Sequence, residues 1–211
     1  MLLDRPEEAL SVGTVAQRTS ALLAADRATE VLEQRPVEPS AATLAHAALL
    51  IQAQLRGDQL AARRELEWLA AECSRVAWGR AWWVHWLLVP WNQARNGDPS
   101  ALARAVEQRG PATGEGRWHD AQRPWNAVRF LAGITDERPV VNQTSRHEAC
   151  GTALFVQALR LDLANDPGAA AAWLAWLALP PQQRVFTVLY RDPVAERLAQ
   201  WRLATIKPLS P

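Results

Sequence analysis

Lysine is almost missing from this 211-residue chain: Lys207 is the only one, and Arg supplies nearly all of the positive charge. That bias fits a GC-rich coding sequence as readily as phosphate recognition, so by itself it assigns no ligand. Neither sign of charge is in excess, because 23 basic and 22 acidic residues leave a formal charge of +1. So balanced a chain has no electrostatic reason to take nucleic acid or an anionic membrane as an obligatory partner. Cysteine occurs only at Cys73 and Cys150, too few for a disulfide framework, and buried, reduced thiols are the simplest assignment. The longest apolar run, Ala81 to Pro90, is interrupted by His85 and falls far short of the roughly 20 residues that span a bilayer. The opening Met-Leu-Leu-Asp-Arg-Pro-Glu-Glu puts acidic residues where an export signal carries positive charge, and a cytoplasmic location is the resulting expectation. Strand-forming residues are scarce as well, with three Phe and one Tyr, which counts against a β fold.

What the chain does have is Ala and Leu at helical spacing, together with eleven Trp. Leu44, Leu49, Leu50 and Leu55 recur at helical intervals, as do Leu60, Leu66 and Leu69. Ala153, Leu154, Ala158, Leu159 and Leu161 form another set, followed by Ala170, Trp173, Leu174 and Leu177. This periodicity predicts amphipathic helices. Between the sets stand Ala25-Asp26, Gly57-Asp58, Asn96-Gly97-Asp98-Pro99 and Asn165-Asp166-Pro167-Gly168, with a weaker break at Gly133-Ile134-Thr135-Asp136. Gly or Asn can take the left-handed conformation that ends one helix, Asp can cap the next, and Pro is accepted in its first turn. The aspartates lie 32, 40, 38 and 30 residues apart, so each break reads as the bend of an antiparallel helical hairpin. The length fits one all-helical (all-α) domain over residues 1–211. Residues 110–125, with three Gly and two Pro, read as an irregular loop. Residues 136–145 read as a short extended piece or a joint between helices, and the Pro-containing termini as short flexible boundaries.

The hairpins resemble the tetratricopeptide repeat, a helix-turn-helix of about 34 residues with small residues where its two helices cross. Gly57-Asp58 looks like the turn of such a unit, and Ala62 falls at the small position of its second helix. In the last unit Asn165-Asp166 stands at the turn, Ala158 and Ala170 at the small positions, and Pro180-Pro181 near the closing proline. The third unit departs from the pattern, with Pro90 near its first small position and Leu102 at the second. The resemblance implies a short stacked array, or an irregular bundle where the pattern lapses, presenting a concave surface to a peptide or a partner protein.

Two segments stand out as candidate binding residues. Val76 to Trp91 carries Trp78, Trp82, Trp83, Trp86 and Trp91, and Trp78, Trp82 and Trp86 share one helical face. Such a stripe is either a central helix buried by its neighbours or an exposed groove whose anchors are Trp82, Trp83 and Trp86, since Trp and Arg are favoured interface anchors. A helix lying on a membrane surface fits less well, because Arg80 is the segment's only charge. The second segment holds Arg117, Trp118, His119, Asp120, Arg123 and Trp125. Its guanidinium groups can bind a carboxylate or phosphate, and His119 titrates near neutral pH, unless the segment is simply a solvated connector.

Signatures of catalysis and metal binding are lacking. His46, His85, His119 and His147 are scattered, and His147-Glu148-Ala149-Cys150 lacks the second histidine of a helical zinc-protease motif. Gly110 to Gly116 lacks the Lys-Ser/Thr and the preceding strand of a phosphate loop. The C-terminal Arg184, Arg191, Arg197 and Arg202 are interrupted by Asp192 and Glu196, which reads as a mixed, solvated helix face instead of a nucleic-acid site. The expectation is therefore a non-enzymatic protein- or peptide-binding scaffold without cofactor or metal, using Trp82, Trp83 and Trp86 with a rim of Arg117, Trp118, His119 and Arg123. The alternative is a small helical enzyme or ligand-binding domain with its pocket under the 110–125 loop, and self-association through the stripe is a third possibility.

Overall fold

The computed structural model describes residues 14–72, 81–108, 118–141, 146–184, 186 and 192–206. In chain order the helices are α1 (Val15–Ala24), α2 (Ala28–Glu33), α3 (Pro39–Leu55), α4 (Gln59–Glu72), α5 (Val89–Arg95) and α6 (Ala101–Gln108). They continue as α7 (Trp118–Leu131), α8 (Arg138–Val141), α9 (Arg146–Leu163), α10 (Ala169–Ala178) and α11 (Pro193–Thr205). A π-helical turn, Val84–Leu88, leads into α5, and a 3-10 turn, Pro181–Gln183, follows α10. No strand occurs among the described residues, and no helix there is long and apolar enough to cross a membrane. The fold class is all-α.

All five bends read from the sequence are present, joining α1–α2, α3–α4, α5–α6, α7–α8 and α9–α10, and they share one mechanism. At each, one residue takes positive φ: Asp26 (64°), Gly57 (70°), Gly97 (96°), Gly133 (74°) and Asn165 (52°). The following amide then reaches back five residues into the last helical turn, as Asp58 N does to Ala53 O (2.9 Å), Asp98 N to Gln93 O (3.0 Å) and Asp166 N to Leu161 O (2.9 Å). Carbonyls that a helix end would leave open are thereby satisfied. On the far side of the bend, Asp58 accepts from the Ala61 amide (3.0 Å), Asp136 from Arg138 (3.1 Å) and Asp166 from Gly168 (2.7 Å). Asp26 departs from its expected capping role, because it occupies the left-handed position itself and α2 begins without a side-chain cap. Asp98 instead pairs with Arg104, whose guanidinium, helped by the Ser100 hydroxyl, holds its carboxyl down at about 2.

Consecutive helices pack in pairs, most extensively α3 with α4 and α9 with α10. The stack does not stay open. α11 packs on α10 and also returns to α1 and α3, so the helix pairs enclose the π turn and α5, which between them touch α3, α4, α6, α7 and α9. Pro90 accounts for the π turn. In α geometry its ring would meet the carbonyl of Trp86, and it has no N–H to offer. The amide of Val89 bonds five residues back to Val84, which widens the helix just ahead of the proline.

Three local expectations change. Trp118 to Trp125 is helical, within α7, and Pro124 sits inside that helix; residues 110–117 of the expected loop lie outside the described residues. Burial of Ala127, Val128, Phe130 and Leu131 holds the helix against the hydrogen bond lost at Pro124. Of the two readings of residues 136–145 the extended piece is not found at 138–141, which form a helical turn, α8, between α7 and α9; residues 142–145 lie outside the described residues. Cys150 is an exposed free thiol, not a buried one, and Cys73 lies outside the described residues. Pro180-Pro181 closes the last hairpin as expected, and the chain then crosses α9 at Gly151, where a Cβ would collide with the Gln183 carbonyl.

The space around Gly57 and Gly97 is open where a Cβ would go, so substitution there tests the backbone alone. Gly57→Ala and Gly97→Ala should each cost about 1–2 kcal/mol, whereas Asn165→Gly should be neutral or stabilising. Urea denaturation of the three variants checks this, and unchanged stability in both alanine variants would contradict the shared bend mechanism.

Candidate functional site

Trp78 lies outside the described residues, and the rest of the tryptophan stripe lies in the core. Trp82, Trp83 and Trp86 are 4%, 0% and 1% exposed, and Trp91 is fully buried. The expected role of Trp82, Trp83 and Trp86 as surface anchors, or as a self-association face, is therefore corrected: their side chains are buried inside the chain's own fold. The reason is that each side of the stripe meets a packed neighbour. The indole N–H of Trp82 donates to the Phe186 carbonyl (3.0 Å), that of Trp83 to Asp192 Oδ2 (2.6 Å) and that of Trp91 to the Leu159 carbonyl (2.9 Å). Phe186 stacks on Trp83 with centroids 5.2 Å apart, and Phe155 packs against Trp83, Trp173, Trp176 and Phe186. A buried indole needs an acceptor for its N–H, and these three have one.

Of the expected polar rim, only Arg123 has a described side chain. Arg117 lies outside the described residues. Trp118 and His119 form the first turn of α7, but only their backbone is described. Arg123 turns inward: its Nη2 donates to Thr152 Oγ1 (3.0 Å) and its guanidinium carbon stands 5.6 Å from the Trp82 ring centroid. The two histidines with described side chains, His46 and His85, are separately engaged. His46 Nδ1 lies 2.6 Å from Glu65 Oε2 and its ring stacks on Trp68, while the buried His85 approaches Thr43 Oγ1 at 3.4 Å. No group of three His, Cys, Asp or Glu side chains among the described residues could hold a metal ion.

The C-terminal arginines are not a solvated face. Arg202 is buried and makes two hydrogen bonds to the buried Asp162, at 2.7 and 2.9 Å, and Asp162 also accepts from Trp173 (3.3 Å). Arg184 pairs with the buried Glu196 at 3.3 Å, and Arg191 lies outside the described residues. Arg202 and Arg95 both flank Trp201, their guanidinium carbons 4.8 and 5.6 Å from its ring centroid. Arg95 remains exposed. Partial desolvation, and then the charge of Arg202, pull its guanidinium below the usual arginine range, against the opposing pull of Asp162.

Where α11 returns to α3 it leaves an open groove of about 510 Å³. Asp26 enters from the α1–α2 bend; α3 contributes Gln52, Leu55 and Arg56, and α11 contributes Arg197, Gln200, Trp201 and Ala204. These positions follow i, i+3, i+4 on one helix and i, i+3, i+4, i+7 on the other, one face of each. Asp26 is already committed, to Arg197 by an ion pair and to the Gln52 amide at 2.9 Å. Leu55 is 51% exposed. Arg56 is exposed and has no ion-pair partner among the described residues. Sequence reading missed this groove because its two walls are some 140 positions apart in the chain. The only signal was the spacing of Arg197, Gln200, Trp201 and Ala204.

The Asp162–Arg202 pair fixes the wall of the groove beneath Trp201. Arg202→Met should destabilise by about 3–5 kcal/mol, because it strands a buried carboxylate, and Asp162→Leu with Arg202→Met should cost less than the single change. Guanidinium denaturation reads both. A single variant within about 1 kcal/mol of wild type would mean that the pair does not hold the seam.

Compared with protein-family models, curated proteins and solved structures, the chain matches none. What the groove does therefore rests on its own geometry.

Proposed function

We propose that the protein is a non-enzymatic scaffold that binds a protein or peptide segment, and that its helical hairpins are a degenerate tetratricopeptide-like array closed upon itself. The observation that carries this reading is the seam groove between α3 and α11. It is open along its length, it has a partly exposed apolar side chain in Leu55 and amides in Gln52 and Gln200, and its walls are two regular helices. Amide, guanidinium and apolar groups arranged along helix faces are the equipment of helix-groove peptide recognition. Among the described residues the same lining has no nucleophile beside a base, which acyl-transfer or hydrolytic chemistry of the familiar kinds requires. Its binding surface differs from the one the sequence suggests: the interior of the array is filled by the tryptophan helix, so the partner meets the outer seam.

Ala204 is exposed, and a large residue there fills the groove without touching the core. Selection of displayed random dodecapeptides on the wild-type protein should yield a related family whose members lose binding to Ala204→Trp. In a labelled sample such a peptide should shift the amide signals of Gln52, Leu55, Arg56 and Gln200. Peptides that bind wild type and Ala204→Trp equally well would refute the groove as the binding site.

A further inference from the structure

The groove's charge is unbalanced in one direction, and this extends the peptide-binding reading, on which it rests. Asp26 is the only carboxylate among the described residues of the lining, and Arg197 together with Gln52 already occupies it. Arg56 is left with an exposed guanidinium and no ion-pair partner among the described residues. A second such group stands close by. The side chains of Gln54, two positions before Arg56, and Asn92, one turn before Arg95, hydrogen-bond at 2.6 Å and tie the end of α3 to the end of α5. Trp201 then joins the two: it lines the groove and lies 5.6 Å from Arg95. Arg95 makes aromatic contacts with Trp91 and Trp201 but pairs with no carboxylate among the described residues, because the nearby Asp162 is taken by Arg202. Among the described residues the region therefore carries two guanidinium groups in excess of its carboxylates, on helix ends held together by packing.

We propose that the seam groove takes an acidic peptide segment, its carboxylates meeting Arg56 and Arg95 at the rim while apolar side chains lie against Leu55 and Trp201. Guanidinium groups favour carboxylates because their paired N–H donors match the two carboxylate oxygens. Nucleic acid fits the site less well, since two free guanidinium groups on a chain of net charge +1 neutralise too few phosphates to track a backbone. Arg56 and Arg95 also sit at helix C-termini, where a cation is favoured without any ligand, and the experiment separates this role from recognition.

Three pools of displayed dodecapeptides, random except for two central positions fixed as Glu, Gln or Lys, are captured on the full-length protein. Recovery from the Glu pool should exceed that from the Gln pool by about tenfold at low salt, the scale expected of two charge-assisted contacts. The excess should shrink as salt is raised and vanish with Arg56→Gln/Arg95→Gln, whose folding is checked by its thermal transition. Equal recovery from the Glu and Gln pools, or preference for Lys, would overturn the acidic assignment while leaving a peptide-binding groove. Recovery from no pool would overturn both readings. Loss of the Glu-pool excess when free glutamate or inorganic phosphate is added in millimolar amounts would assign the site to a small anion and overturn the peptide claim.

Discussion

The hydrogen bond from the Trp83 indole to Asp192 is the contact on which the arrangement turns. Asp192 does two things at once: Oδ1 accepts the amides of Val194 and Ala195 at 3.0 and 3.2 Å and so starts α11, while Oδ2 accepts from Trp83 at 2.6 Å. The beginning of the last helix is thus tied to the middle of the tryptophan segment. Each buried indole removes roughly 150–250 Å² from water, so covering the stripe is a large gain that only a returning helix can secure on this side. Once α11 starts there, its far half is pinned by Arg202 on Asp162, and Arg197 reaches Asp26 across the seam. The groove is a consequence of that return, being the space left between α11 and α3.

The hairpins were legible in the sequence because bend chemistry is local. A left-handed residue and the hydrogen bonds around it are decided within six positions, and Gly57, Gly97, Gly133 and Asn165 each take that conformation. Even there a residue type leaves its role open, as Asp26 shows by taking the left-handed position in place of a cap. The tryptophan stripe was legible as a helical face, but which side of a helix is covered depends on segments more than 60 positions away: Leu159, Phe186 and Asp192 supply the acceptors of Trp91, Trp82 and Trp83. Pro124 misled for a related reason, since burial of its neighbours in α7 outweighs one missing hydrogen bond. The groove was illegible because its charge balance depends on which arginines find carboxylates. Arg202 and Arg197 find them; Arg56 and Arg95 pair with none among the described residues.

Core and groove are therefore parts of one construction. Trp201 is buried to 6% exposure, held beside Arg202 and Arg95, and forms a stiff wall at the seam. A rigid wall limits the entropy lost when a flexible segment is captured. An open superhelix would offer its concave face, but here α11 closes the array and the tryptophan helix fills the inside, so the binding site we propose is the outer joint between the first hairpins and the last helix. This also explains why the most conspicuous residues of the sequence are not the ones proposed to meet a partner.

Hydrogen exchange at the indole N–H groups tests the closure most directly. In a sample labelled at Trp nitrogen, the Trp82, Trp83 and Trp91 indole protons, assigned by single Trp→Phe replacements, should exchange only through global unfolding. Their protection should then match the stability measured by denaturant. Exchange of Trp82 and Trp83 at the rate of a free indole, in a protein whose other helices remain protected, would show that α11 does not close over the stripe and that the tryptophans face solvent after all.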